Sequence, residues 1–229
     1  MTVLYLVRHG QAGELTGHYD TLSDRGWRQS ELLGEHMRAC DRRFDEIWCG
    51  TLQRHRLTLD AFHQTYPLPH KAWHDPALDE IPFEALLAQY QAQFPEHAAR
   101  HDAGADQSHA AFANTLRHAI DLWRGDLLDG LEPTWVDYKT PVTRWLEGRT
   151  LAATPGKHVL AISSAGTISL LLSAALQLDD SQMHLFNAQL RNTAVTALEL
   201  NPTGPVRLAL FNSVAHLDVH AQPALITSL

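Results

Sequence analysis

Arg8 and His9 stand side by side behind five apolar residues, Val3-Leu4-Tyr5-Leu6-Val7, and ahead of Gly10. The apolar run is mostly β-favouring and bounded by a turn residue, so it predicts a buried strand. In open α/β sheets ligands bind just beyond the carboxyl ends of strands, which is where the two basic residues fall. An arginine offers a planar fork of donors that matches a phosphate. A histidine can act as a nucleophile near neutral pH, and the glycine lets the backbone turn sharply. A basic dipeptide capping a strand can also simply face water, so the features that follow have to decide.

The rest of the chain must bring partners to that strand end. Ser23 is placed to cap a helix that carries Leu32, Leu33 and Met37 at helical spacing. A second strand is expected over Phe44–Cys49, broken by Gly50-Thr51, and a helix from about Leu52 to Gln64. Arg54 then sits in a helix's first turn, where the helix N-terminus and a guanidinium can hold one anion. Glu80 follows an extended stretch; a carboxyl with a raised pKa can protonate the leaving oxygen of a monoester. His158–Ser163 reads as a central strand, and Ser164-Ala165-Gly166-Thr167 leads into an apolar helix. Further strands are expected over Arg191–Leu200 and Val206–Phe211. Between Glu80 and His158, helical periodicity covers Ala85–Phe94, His109–Leu128 and Thr134–Leu146. Such a length is too great for a loop and predicts a helical cap. Trp123, Trp135 and Trp145 are expected in the core.

These motifs resemble the histidine phosphatase superfamily, also called the phosphoglycerate mutase-like family. LVRHG matches its nucleophile motif, LSDRGWRQSELLG its LTxxGxxQAxxLG helix, and GTLQR its SPLxR segment. LDEIPF resembles LxEIxF, and RNTAVTALEL with NSVAHL its closing hairpin and ending. The resemblance implies His9 as the residue phosphorylated, Arg8 and Arg54 as phosphate contacts and Glu80 as the acid. It departs in three places. Ser164 stands where the family usually has a second histidine, as in a subgroup with S-G-G or T-S-G-G at this point. Leu15 stands where an asparagine is usual, and Glu84-Ala85-Leu86-Leu87 replaces Gly-x-Trp-Glu-Gly. Ser164 is expected beside the phosphate; His216, His55 and Gln11 are further pocket candidates, His216 as a stand-in for the missing histidine. The fold implied is a three-layer α/β/α sandwich: a mostly parallel sheet, helices on both faces, one domain over residues 1–229 with a helical insert at about 84–150.

Bulk properties narrow the function. The formal charge is −8, with 18 Lys and Arg against 26 Asp and Glu, which argues against nucleic acid or an anionic membrane as partner. At 229 residues the chain can bury a core without disulfides. Cys40 and Cys49 make neither a zinc spacing nor a disulfide framework. No signal peptide precedes the first strand, and the most apolar helix is too short to span a bilayer, so a cytoplasmic location is expected. His70/His74 and His97/His101 have a four-residue spacing, but no carboxylate or cysteine set converges on them. No metal and no cofactor is therefore expected. An edge strand could pair two subunits as a homodimer.

The reading that joins these residues is a metal-independent phosphatase. His9 attacks a phosphate monoester, Arg8 and Arg54 neutralise the phosphoryl oxygens, and Glu80 protonates the leaving alcohol. The substrate is a small phosphorylated molecule. Two alternatives share the pocket: a phosphomutase, and a phospho-ligand-binding protein that has lost turnover through Ser164 and Leu15.

Overall fold

The computed structural model describes residues 1–13, 20–68, 70–95, 109–220 and 222–228, the side chains of 109–113 excepted. Leu15, His97 and His101 lie outside them. The chain divides into two compact units: Met1–Asp79 with Val142–Leu229, and Glu80–Pro141.

The first unit is a mixed α/β fold around a six-stranded sheet in the order β3-β2-β4-β1-β5-β6. The strands are β1 (Thr2–Arg8), β2 (Glu46–Cys49), β3 (Trp73–His74), β4 (His158–Ser163), β5 (Val195–Leu200) and β6 (Arg207–Ser213). The β1–β4, β4–β2 and β2–β3 pairs are parallel, while β5 and β6 join antiparallel. The two strands at the centre, β1 and β4, are the two that read as apolar runs, as strands covered on both faces must be.

Alternation along β1 sorts its side chains between the faces. Tyr5 and Val7 join Leu33 and Met37 of α1 (Asp24–Ala39), Leu59 and Phe62 of α2 (Gln53–Thr65), and Ile47, Leu160 and Ile162 in one core. Leu4 and Leu6 point the other way and are fully buried. The helix after β4, Ala165–Ala175, is apolar almost all round and buried along nearly its whole length, as expected for a helix sunk into a core. Ser23 caps α1, its hydroxyl accepting from the Gly26 N–H at 3.1 Å.

Element ends differ from the sequence reading for local reasons. The second strand starts at Glu46, because Asp45 turns to cap it: its N–H donates to the His158 carbonyl and its carboxylate accepts from the His158 N–H, both at 2.8 Å. Residues 191–194 are a turn rather than the start of β5, because Thr193 has φ +55°. The final strand begins at Arg207 and runs on to Ser213.

The second unit is helical. It holds α3 (Phe83–Gln93), α4 (His109–Arg124) and the first residues of α5 (Trp135–Leu151); with this the apolar helix after β4 becomes α6. The expected helix to Leu128 stops at Arg124, where Asp126 takes φ +55°. Helix α5 continues five residues past Leu146, to Leu151. Trp123 packs edge-on to Trp135 at 5.1 Å between centroids, and its indole N–H donates to the Pro133 carbonyl at 3.0 Å. All three tryptophans expected in the core are buried.

Among the described residues no helix is long and apolar enough to cross a membrane. Among them, too, no group of three or more His, Cys, Asp or Glu is gathered as a metal site would need. Cys40 and Cys49 are free thiols; burial pushes the Cys49 thiol far up, so it is inert as a nucleophile.

Candidate active site

His9 follows the last residue of β1 and is 2 % exposed. Its backbone is fixed from both sides. The His9 N–H donates to the Ser163 carbonyl of β4 at 2.9 Å. The His9 carbonyl accepts from Asn192 Nδ2 at 3.1 Å and from the Thr193 N–H at 3.3 Å. This is the task of the left-handed turn at Thr193: it points an N–H at the β1 end, where an extended strand could not.

The imidazole is oriented as firmly. Nδ1 lies 2.7 Å from the Gly10 carbonyl. A carbonyl can only accept, so Nδ1 carries the proton and Nε2 keeps its lone pair. Burial, followed by the positive charges of Arg8 and Arg54, holds the His9 pKa well below the ordinary histidine range; the Gly10 carbonyl opposes this only in part. His9 is thus neutral at physiological pH, the state a nucleophile requires.

Two arginines flank it. Arg8 is 5 % exposed, and its Nη1 donates to the Leu190 carbonyl at 2.6 Å and to the Ser228 carbonyl. Arg54, 4 % exposed, donates through Nη1 to Asp20 at 2.9 Å. The Asp20 carboxylate also accepts from the N–H groups of Gln53 and Arg54, at 2.9 and 3.3 Å, at the start of α2. The anion-favouring end of that helix therefore already holds a carboxylate. Thr58 ties α2 to the loop after β1, accepting from the Gly10 N–H at 3.0 Å and donating to the Arg54 carbonyl at 2.7 Å.

Ser164 follows β4 and stands at the N-cap of α6, and it is completely buried. Its hydroxyl lies 2.6 Å from Nε2 of His55, also completely buried. The His55 and His9 rings are 5.6 Å apart between centroids. Nδ1 of His55 lies 3.5 Å from the Asp79 carboxylate. Burial pushes the Asp79 carboxyl up, but His55 and the Thr51 hydroxyl and N–H outweigh it and hold it below the usual carboxylate range.

The first unit thus brings together Arg8, His9, Arg54, His55 and Ser164, with Asp79 behind them. Gln11 turns toward the start of α1, its side-chain carbonyl accepting from the Ser23 hydroxyl at 3.0 Å. His216, in the short helix α8 (Ala215–Asp218), supports the site's backbone: Thr193 Oγ1 donates to the Asn192 carbonyl, so it accepts from His216 Nε2 at 2.9 Å. Glu80 is the first residue of the second unit, and its carboxylate accepts from the Ile81 N–H at 2.9 Å. The sequence reading missed Asp79, Thr58 and Thr193, and the place of Asn192 beneath the His9 carbonyl. The tail was missed as well. Gln29 of α1 donates to the Leu225 carbonyl and the Thr227 hydroxyl, at 2.7 and 2.9 Å, and so holds the segment that reaches Arg8.

The buried His216 gives a testable pH dependence. Burial, then the neighbouring His36 and His220, pull its pKa down from 6.5 to about 3. The unfolded chain binds this proton first as pH falls, so the contribution is neutral above pH 6.5 and destabilising between there and about 3. The slope is about 1.4 kcal/mol per pH unit. Between pH 7 and 4.5, urea melts of His216→Leu should show a loss of stability about 3 kcal/mol smaller than the parent's, that slope taken over the two units below 6.5.

The matching family model is the histidine phosphatase superfamily (branch 1), over residues 4–213, and the chain belongs to that superfamily. No curated protein matches it. Among solved structures it is similar to a phosphoserine phosphatase from Entamoeba histolytica in complex with 3-phosphoglyceric acid: 21 % identity, TM-score 0.61, covering 95 % of this chain and all of that one. It is also similar to the α-ribazole phosphatase from Shigella flexneri, with 20 % identity, TM-score 0.65, and 93 % and 96 % of the two chains covered. A mycobacterial glucosyl-3-phosphoglycerate phosphatase shares 20 % identity at TM-score 0.59, over 92 % and 98 %. At these identities the likeness establishes the shared fold.

Proposed function

We propose that the protein is a phosphatase of small phosphate monoesters that works through a phosphohistidine on His9. The observation that carries this is the His9 imidazole itself: buried, neutral, with Nδ1–H bonded to Gly10 and Nε2 left as an attacking lone pair within the positive field of Arg8 and Arg54. Nε2 attacks phosphorus in line with the ester oxygen. Arg8, Arg54 and the first N–H groups of α6 stabilise the charge on the non-bridging oxygens. Glu80 gives its proton to the leaving alcohol and then takes one from the water that cleaves the phosphohistidine. Two arginines supply the positive charge, so the reaction proceeds without a metal or cofactor. Phosphoryl-transfer transition states call chiefly for positioning and charge stabilisation, which this set of groups can supply. We read the enzyme as a cytoplasmic one acting on a small phosphorylated molecule.

The role of Glu80 separates by leaving group. Glu80→Gln should slow an alkyl phosphate by about 10²-fold or more, and p-nitrophenyl phosphate, whose leaving group needs no proton, far less. Equal loss on both substrates would remove Glu80 from the acid role. The proposal as a whole is tested by steady-state hydrolysis in EDTA with and without His9.

A further inference from the structure

The strand-to-helix turn at position 164 carries a serine, and the imidazole that touches it comes from another element, α2. Three features make this contact look built. Ser164 occupies the N-cap position of α6 but makes no cap hydrogen bond. A serine there ordinarily accepts from the N2 or N3 N–H; here the hydroxyl is turned to His55 instead. Asp79 is anchored opposite, accepting from the N–H groups of Thr51 and Leu52 at 2.5 and 3.2 Å and from the Thr51 hydroxyl. Finally, Gly50 keeps the passage between them open. A Cβ at that position would lie 2.1 Å from His55 Nδ1 and 2.7 Å from the Asp79 carboxylate.

We propose that Asp79, His55 and Ser164 form a proton relay that converts a bound monoanionic phosphate monoester to its dianion and sets a cation beside it. This rests on reading the pocket as a phosphomonoester site. The relay uses the tautomer in which Nδ1 of His55, 3.5 Å from the Asp79 carboxylate, carries the hydrogen and Nε2 accepts the Ser164 hydroxyl proton, since an ionised carboxylate only accepts. Phosphate monoesters lose their second proton near pH 6, so a share of substrate arrives with a P–OH group. That group passes its proton to Ser164 Oγ while Ser164 passes its own to His55 Nε2. No bond to phosphorus breaks in this step. The phosphoryl group gains one negative charge and His55 one positive charge, balanced by Asp79. Ser164 now accepts from His55 and donates to a phosphoryl oxygen. Among the described residues, charged or titratable groups near the ring include His9 at the end of β1, its ring 5.6 Å away, and Arg54, the preceding residue on α2. Ser164 touches the substrate; His55 and Asp79 are positioning residues acting through it.

The test is nitrogen NMR of the full chain labelled in histidine, titrated with inorganic phosphate, with His55→Gln used to assign the signal. His55 should be a neutral Nδ1–H tautomer in the free protein and doubly protonated at saturating phosphate. An unchanged His55 tautomer at saturation would overturn the relay. In parallel, Ser164→Ala and His55→Gln should each lower kcat/KM on phenyl phosphate about 10²–10³-fold, and the double variant no further than either alone. Additive losses would also overturn it. Turnover that needs His9 with an unmoved His55 signal rejects the relay alone; a protein that binds no phosphate rejects both the relay and the phosphatase reading.

Discussion

Replacing His9 with alanine should lower kcat for an aryl phosphate by about 10⁴-fold or more, with the fold intact. The size follows from the proposed chemistry: Nε2 is the atom that would take the phosphoryl group, and without it the remaining donors could only stabilise attack by water. The fold should survive because the His9 backbone, not its ring, carries the bonds to Ser163, Asn192 and Thr193. The lost Nδ1–H bond to Gly10 is a net contribution of about 1 kcal/mol. The decisive measurement pairs steady-state rates in EDTA with trapping of labelled phosphate on the protein. The parent should hydrolyse substrate and carry acid-labile label on His9; the variant should do neither. A variant as active as the parent would place the chemistry elsewhere.

Gly10→Ala should produce the second large effect, on stability and activity together. A Cβ at Gly10 would lie 2.4 Å from the Gly26 carbonyl oxygen and 2.8 Å from Ser30 Oγ. The first of these is backbone inside α1 and cannot swing aside. Either α1 moves off β1 or the Gly10 peptide moves. Overpacking of this kind costs about 3 kcal/mol, which for a chain of this size lowers Tm by about 6–12 °C. The Gly10 carbonyl also orients His9 and its N–H meets Thr58, so a shift of about 1 Å should cost a further 10²-fold in kcat. Calorimetry and rates at 20 °C separate the two losses. A variant with the parent's Tm and kcat would show that the nucleophile loop has slack.

Where a sequence signal was local, it could be read. β1 and β4 are apolar because both faces are covered, Ser23 announced α1, and Arg54 fell in the first turn of a helix as its place after Gly50-Thr51 required. What stayed hidden depends on contacts between distant segments. Asp79 sits beside Glu80 and reads as one more loop carboxylate; nothing local says that it meets His55, 24 residues earlier in the sequence. Thr193 gave no sign of its left-handed backbone, because threonine rarely adopts it without tertiary support. His55 was visible as a neighbour of Arg54, but its link to Ser164 spans 109 positions. The nearest available signal was Gly50: a glycine at the end of a buried strand often marks a close approach, and here it leaves room for the imidazole and the carboxylate.

The strand order has a consequence for how the molecule is made. β1 lies between β4 and β5, and its register partners begin at His158 and end at Leu200. During synthesis β1 therefore has no hydrogen-bonding neighbour until β4, about 150 residues further along, has been made. Until then Leu4, Leu6 and Val7 form an exposed, unpaired edge, the kind of segment that recruits chaperones or aggregates. Pairings of such long sequence separation also make folding slow, on the millisecond-to-second scale. The residues around His9 can come together only once β4 has joined β1, so this site should form late in folding.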